Sequence, residues 1–107
     1  MSARKEMFIG IGRYEIFIAA SGSLKDKRRV LRAVIMSVRK KFNVAIAEVE
    51  YQDKWQRAAI GVSCVAESMS HCRKVLQAVE KQIGRAAADA GEIIDRQVEI
   101  MAMEDLV

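Results

Sequence analysis

The sequence predicts an α+β domain in which a four-stranded antiparallel sheet carries both helices on one face. Apolar residues recur with period 2 in four short segments and with period 3.6 in two longer ones. The segments follow the order β-α-β-β-α-β, which favours the ferredoxin-like sandwich. The chain has 107 residues, no proline and 51% hydrophobic residues, so we expect a single domain, 1–107, with a short polar tail at 1–6.

The first half of the chain predicts a strand followed by a helix. Residues 7–20 are rich in isoleucine and aromatic residues, and the even positions from Phe8 to Ile18 are expected to face the core. The helix is predicted over 24–41, because Ser23 and Asp26 form a serine-x-x-acid cap before an apolar stripe.

The second half predicts a hairpin, a helix and a last strand. Strands over 43–51 and 56–65 flank a short connection, which indicates an antiparallel hairpin. Alternation breaks at Glu48 and Glu50, so either a bulge intervenes there or these acids reach the sheet edge. A helix is predicted over 69–88 with a stop near Gly91. The final strand follows, with Ile94, Val98 and Ile100 expected to face inward.

Charge and cysteine content narrow the class of protein. The net charge is +4, yet residues 1–42 hold 11 Lys/Arg against 3 Asp/Glu, while residues 43–107 hold 7 against 11. This asymmetry favours an anionic partner such as nucleic acid. The polar start has no apolar signal region, and the two cysteines lack the spacing of a metal or disulfide site. We expect a cytoplasmic protein without membrane attachment, metal or cofactor.

Cations crowd the first predicted helix, including its first turns, where the helix dipole disfavours positive charge. Most of them share about a third of the helical circumference beside the apolar stripe. A solvated helix surface is the alternative interpretation. The functional hypothesis is anion binding, with phosphates contacted by Lys25, Lys27, Arg28, Arg29, Arg32, Arg39 and Lys40.

The predicted hairpin offers a second candidate site. Glu48, Asp53, Trp55 and Gln56 lie close together in sequence, and carboxylates beside an aromatic ring suit a ligand pocket or acid–base chemistry. The alternative is structural: Glu48 or Glu50 pairs with Arg57 or with a helix cation, and Asp53 shapes the turn. We assign no catalytic residue.

The helix-free face of the sheet is predicted to be an oligomer face. The third strand places small residues there, so the aromatic platform that stacks single-stranded RNA on similar sheets is missing. Apolar and small side chains suit a second copy of the chain, which predicts a homodimer. The residues assigned to this face are Ile9, Ile11, Phe17, Ala59 and Gly61.

Two segments resemble the YlxP-like family of small uncharacterised bacterial proteins: SLKDKRRVLR (23–32) and FNVAIAEVEYQDKWQRAAIGV (42–62). The resemblance implies a ferredoxin-like fold and no established activity. The genes of this family often lie beside translation factors, which implies a link to translation or the ribosome by association only. The family's characteristic residues correspond here to Ser23, Leu24, Lys25, Asp26, Lys27, Arg28, Glu48, Gln52, Asp53, Trp55 and Gln56.

Three hypotheses follow for the function. The leading one is a non-enzymatic protein that binds structured RNA, with ribosomal RNA or a ribosomal subunit as partner, through the basic face of the first helix. The second is a module or enzyme that binds a small phosphorylated ligand between the helix start and the hairpin at 48–56. The third is an adaptor whose basic face meets an acidic protein.

Overall fold

The chain forms one four-stranded sheet with two helices, described for residues 6–106 in a computed structural model. The element order confirms the ferredoxin-like prediction, and the first helix has the predicted bounds; the tail predicted at 1–6 lies, except for Glu6, outside the described residues. The elements are β1 (Phe8–Phe17), α1 (Leu24–Lys41), β2 (Ala45–Glu50), β3 (Arg57–Ala66), α2 (Met69–Ala87), β4 (Glu92–Ala102) and a 3-10 helix (Met103–Leu106).

All strand pairs are antiparallel, in the order β2-β3-β1-β4. The hydrophobic core fills the space between the sheet and the helices, because alternate residues of β1 and β3 meet the apolar stripes of α1 and α2. Tyr14, Ile16 and Ile60 on the sheet, like Val34 on α1 and Val79 on α2, are fully buried. Within residues 6–106, the opposite face of the sheet carries neither α1 nor α2.

The start of α1 is capped as its sequence predicts. The Ser23 hydroxyl accepts a hydrogen bond from the Asp26 backbone N–H at 3.1 Å, and the Asp26 carboxylate accepts one from the Gly22 N–H at 3.1 Å. Both bonds satisfy backbone donors at the helix entry. The cap therefore explains why the helix begins at Leu24 despite the cations in its first turns.

Two irregularities turn side chains toward the open face of the sheet. The β2–β3 register shifts between Glu48 and Glu50, which confirms a bulge there. The β1–β4 register shifts opposite Glu15 and Ile16, so one residue of β4 is extra. That residue is Ile94, which is 50% exposed, whereas Ile93 packs against the core. The prediction that Ile94 faces inward is therefore wrong.

Glycines in β1 allow close packing. A Cβ atom at Gly10 would lie 3.0 Å from a methyl carbon of Leu76 in α2, and one at Gly12 would lie 2.6 Å from the Tyr14 hydroxyl oxygen. The first glycine therefore admits the helix and the second admits the Tyr14 ring. Among the described residues, neither α1 nor α2 combines the length and the hydropathy that a membrane-spanning helix requires.

Candidate functional site

A buried lysine joins α1 to the β2–β3 hairpin. Lys27 is 1% exposed, its Nζ atom lies 2.8 Å from the Glu48 carboxylate, and it donates a hydrogen bond to the Tyr51 carbonyl. Lys27 was predicted to contact phosphates. It is instead unavailable to a ligand, because its ammonium group is buried and paired with Glu48. The predicted pairing of Glu48 with a helix cation is confirmed.

Tyr51 occupies a backbone conformation that its side chain type disfavours. Its φ angle is 68°, in the left-handed region that costs a non-glycine residue free energy. Four contacts hold it there. The carbonyl accepts hydrogen bonds from the Lys27 Nζ and from the Lys54 N–H at 3.0 Å, the hydroxyl donates to Glu15 at 3.3 Å, and the Arg57 guanidinium lies 4.3 Å from the ring centre. The strained turn is thus determined by its surroundings.

Gln56 ties the same hairpin to the loop between β1 and α1. Its side-chain amide donates hydrogen bonds to the carbonyls of Ala19 and Ser21, each at 3.2 Å, and its own carbonyl accepts one from the Ile18 N–H at 2.8 Å. The two sequence segments that carry the family resemblance meet through Lys27 and Glu48, and Gln56 fixes the second segment to the loop before α1.

The predicted hairpin pocket does not assemble as a single site. Glu48 faces Lys27 and the amide of Gln56 is occupied by the loop before α1. Asp53 and Trp55 remain exposed in the connection between the strands. Of the four predicted residues, Glu48 and Gln56 thus stabilise the fold and Asp53 faces solvent, while Trp55 and Gln56 line one groove without the two acids.

An ion-pair network covers part of the open sheet face. The Glu15 carboxylate, though nearly buried, lies 2.9 Å from an Arg57 nitrogen and 3.0 Å from an Arg13 nitrogen, and Arg13 also pairs with Glu50. The guanidinium groups of Arg57 and Arg13, in that order of effect, lower the pKa of Glu15. Glu15 in turn raises the pKa of Arg57. These cations are therefore neutralised locally.

This network alters the predicted oligomer face. Ala59, predicted to lie on a bare surface, is instead fully buried, between Glu15 and Glu50 on the neighbouring strands. Val49 leans over Gly61, where an added Cβ atom would lie 2.8 Å from a Val49 methyl carbon. Ile9, Ile11 and Phe17 remain at least partly exposed. Homodimer formation through this face stays a prediction.

Most of the residues that were predicted to contact phosphates lie on the exposed face of α1. Its cations project away from the stripe of Leu31, Val34 and Val38 that packs into the core. The Arg29 guanidinium lies 3.7 Å from Asp26, and that of Arg39 donates to the Ile46 carbonyl of β2 at 3.3 Å. The exposed set comprises Lys25, Arg28, Arg29, Arg32, Arg39 and Lys40.

Helix α2 extends this positive surface, which the sequence reasoning missed. Lys74, Lys81 and Arg85 are exposed on the side of α2 opposite its buried stripe. The Gln82 side-chain oxygen accepts hydrogen bonds from Lys41 of α1 at 3.3 Å and from Arg85 at 3.1 Å, so cations of both helices come together. The helical spacing of these residues is the signal that could have revealed them.

The fold separates charge into two regions. We use "helix layer" for α1 and α2 together, which hold 12 Lys/Arg and 2 Asp/Glu. The other described residues, within 6–106, hold 4 Lys/Arg and 12 Asp/Glu. The asymmetry that the sequence shows between residues 1–42 and 43–107 is thus a larger asymmetry between the helices and the other described residues.

A groove opens at the end of the sheet beside the hairpin, with a volume of about 460 Å³. Phe17 comes from the end of β1, Trp55 from the hairpin, and Ile94 from the bulge of β4. Lys54 adds positive charge at its wall, whereas the charge of Arg57, which also lines it, is balanced by Glu15. Sequence reasoning missed this "end groove", because Phe17 and Ile94 lie far in the chain from the hairpin residues 54–57 and the β4 bulge has no clear sequence signal.

A second groove, of about 710 Å³, follows the edge strand β4 beside α2. Arg96 crosses from β4 to pair with Glu80 at 2.8 Å. Tyr14 also lines this groove, and its hydroxyl donates a hydrogen bond to the Leu76 carbonyl at 3.3 Å. Burial raises the pKa of Tyr14 to about 12. This hydroxyl is therefore a structural hydrogen-bond donor.

Comparison with known proteins identifies the family. Residues 9–98 match the family described as "Protein of unknown function (DUF503)". The chain is 45% identical, over 71 residues, to an uncharacterised protein YlxP of Bacillus subtilis, covering 66% of this chain and 77% of that protein.

Among the solved structures, one match with a TM-score above 0.5 supports the fold alone. A dinuclear metal-binding peptidase of Bacillus subtilis matches with a TM-score of 0.53 at 10% identity, over 90% of this chain and 25% of that one. A de novo designed protein with a ferredoxin fold matches with a TM-score of 0.49 at 9% identity, over 90% of this chain and 84% of the design. The sequence matches show that the chain belongs to the DUF503 family of YlxP-like proteins, whose function is unknown.

Proposed function

We propose that this protein is a non-enzymatic RNA-binding protein whose helix layer contacts the phosphates of structured RNA. The observation that carries the proposal is the charge separation, with 12 Lys/Arg against 2 Asp/Glu on the two helices. The family resemblance makes ribosomal RNA the first RNA to test.

The state of the individual cations supports this proposal. Among residues 6–106, Lys27 and Arg29 are the only Lys/Arg of the helix layer that form ion pairs with acids. No acid of the described residues neutralises the remaining cations of the layer, so their charge is available to an external anion, although Arg39, Lys41 and Arg85 donate hydrogen bonds to uncharged groups. Contacts to phosphate position a protein without reading base sequence, so we expect low sequence specificity.

The competing hypotheses receive less support from the geometry. A small-ligand site that uses Glu48 would have to break its contact with buried Lys27. An acidic protein would fit the same positive surface, and it is distinguished from RNA by the direct binding experiment below.

The experiment measures binding of purified protein to ribosomal RNA and to ribosomal subunits, by co-sedimentation and by anisotropy of labelled RNA. The variant Arg28→Gln/Arg32→Gln removes two exposed cations from α1. We expect it to weaken binding roughly 10- to 30-fold near physiological salt, since each lost phosphate contact forfeits counterion release. Raising salt from about 50 mM to about 200 mM should weaken wild-type binding roughly 100-fold if four phosphates are contacted.

A matched control separates local contacts from net charge. The variant Arg96→Gln/Gln97→Glu removes the same two units of charge from the exposed edge strand β4. It should bind RNA as wild type does. Equal losses in the two variants, or no RNA binding by the wild type, would contradict the proposed interface.

A further inference from the structure

The end groove gathers large apolar side chains that the fold leaves partly exposed. Phe17, Trp55 and Ile94 are 40%, 54% and 50% exposed, and each comes from a different element. Ile94 reaches the groove only because the bulge in β4 turns it away from the core. Two aromatic rings beside one apolar side chain make a surface that suits a flat aromatic ligand.

The charge around the groove selects among such ligands. Among the residues that the structure describes, its polar lining consists of Lys54, Gln56 and Arg57, with no acidic side chain. Arg57 is held in place by Glu15 at 2.9 Å and by the Tyr51 ring, so its position is set before any ligand arrives. A ligand that joins a flat aromatic ring to negative charge, as a nucleotide does, complements this lining.

Gln56 links the lining of the groove to the loop that precedes the helix layer. Gln56, next to Trp55 in the chain, donates a hydrogen bond to the Ser21 carbonyl at 3.2 Å, and Ser23 caps α1. Lys25 follows two residues later and is exposed. One RNA chain can therefore contact the first cations of α1 and continue over the end of the sheet to Trp55.

We infer that the end groove binds an unpaired nucleotide of the RNA that the helix layer contacts, with its base stacked on Trp55 and its phosphate beside Lys54. This inference rests on the proposed function. A nucleotide within RNA is the favoured occupant over a free one, because the groove residues stay about half exposed and small-molecule sites usually enclose their ligand.

Trp55 is the only tryptophan of the chain, so its fluorescence reports on this groove directly. The probes are an RNA stem with a single-stranded tail and a fully paired RNA of the same length and charge. Anisotropy of an RNA end label measures binding, while tryptophan emission measures stacking. We expect both RNAs to bind, the tailed RNA more tightly, and only the tailed RNA to quench Trp55.

Two substitutions at one position separate stacking from hydrophobic contact. Trp55→Leu should weaken binding of the tailed RNA roughly 5- to 150-fold, which is the usual effect of losing one base–aromatic stack. Trp55→Phe keeps an aromatic ring and should retain most of that affinity. Neither change should alter binding of the fully paired RNA, and because Trp55 is 54% exposed, both variants should unfold as wild type does.

The outcomes distinguish this inference from the proposal beneath it. Unchanged anisotropy with both RNAs overturns the RNA-binding function and the inference together. Normal binding with unchanged Trp55 emission and equal affinity of Trp55→Leu overturns the inference alone. If adenosine monophosphate quenched Trp55 emission and bound with the affinity of the tailed RNA, the groove would be a free-nucleotide site, and the assignment to RNA would be overturned.

Discussion

The helix layer and the rest of the molecule differ in how many of their Lys and Arg side chains pair with acids. Two of the 12 Lys/Arg in the helix layer pair with acids, namely Lys27 and Arg29. Among the other residues of 6–106, three of the four Lys/Arg are paired: Arg13, Arg57 and Arg96. A count of basic residues therefore does not identify a binding surface. The cations that the fold leaves without an acidic partner do.

Lys27 gives the largest test of this comparison, because it is the one cation of the helix layer that the fold buries. We expect Lys27→Met to lower the free energy of unfolding by about 3 kcal/mol, since Glu48 and the Tyr51 carbonyl lose their partner. Urea denaturation measures the loss. Arg32→Met, an exposed control on the same helix, should stay within about 0.5 kcal/mol of wild type.

The double variant Lys27→Met/Glu48→Leu sharpens that test. It removes both charges, so it should be more stable than Lys27→Met alone. If Lys27→Met and Arg32→Met were equally stable, the buried pair would not hold the hairpin, and the distinction between structural and free cations would fail at its clearest position.

The contribution of α2 is the next test. Lys74→Gln/Lys81→Gln should weaken RNA binding roughly 5-fold, about one phosphate contact, because α2 has fewer exposed cations than α1. Anisotropy of labelled RNA measures it against Arg96→Gln/Gln97→Glu. An affinity equal to that of the control would confine the interface to α1.

The ion-pair network predicts a dependence of stability on pH. The pKa of Glu15 is lowered from its ordinary value of 4.5 in the folded protein by Arg57 and Arg13, so its contribution is complete above 4.5 and is lost as the pH falls through the lower folded value. Below pH 4.5, wild type should therefore lose stability more steeply than Glu15→Gln does. Urea titrations at several pH values, with exposed Glu99→Gln as control, measure the slopes; equal slopes for wild type and Glu15→Gln would contradict the network.

Lys25 should show the smallest effect and a trade-off. It lies in the first turn of α1, where a negatively charged side chain would interact favourably with the helix dipole and a positively charged one does not. We expect Lys25→Glu to raise the free energy of unfolding by about 0.5 kcal/mol and to weaken RNA binding at the same time. Denaturation and anisotropy measure the two effects on one sample. Unchanged RNA binding would remove Lys25 from the interface.

Local patterns predicted much of this fold. The cap at Ser23, the bounds of α1 and the order of helices and strands along the chain follow from the spacing of apolar and capping residues over short stretches. The break in alternation at Glu48 and Glu50 also has a local signal, and the bulge there resolves it. Local patterns predicted only part of the candidate site. Most of the α1 cations assigned to it are exposed as expected, but Lys27 is buried, and no local pattern distinguishes it from the others.

The amino-acid sequence by itself determined the element order, the apolar faces and the excess of cations in α1, because helix and strand periods act on neighbouring residues. Tertiary structure decided the rest. It decided that Lys27 is buried against Glu48, that Ala59 lies under ion pairs, and that Trp55 meets Phe17 and Ile94. These depend on contacts between distant segments and on bulges that change which face a residue occupies.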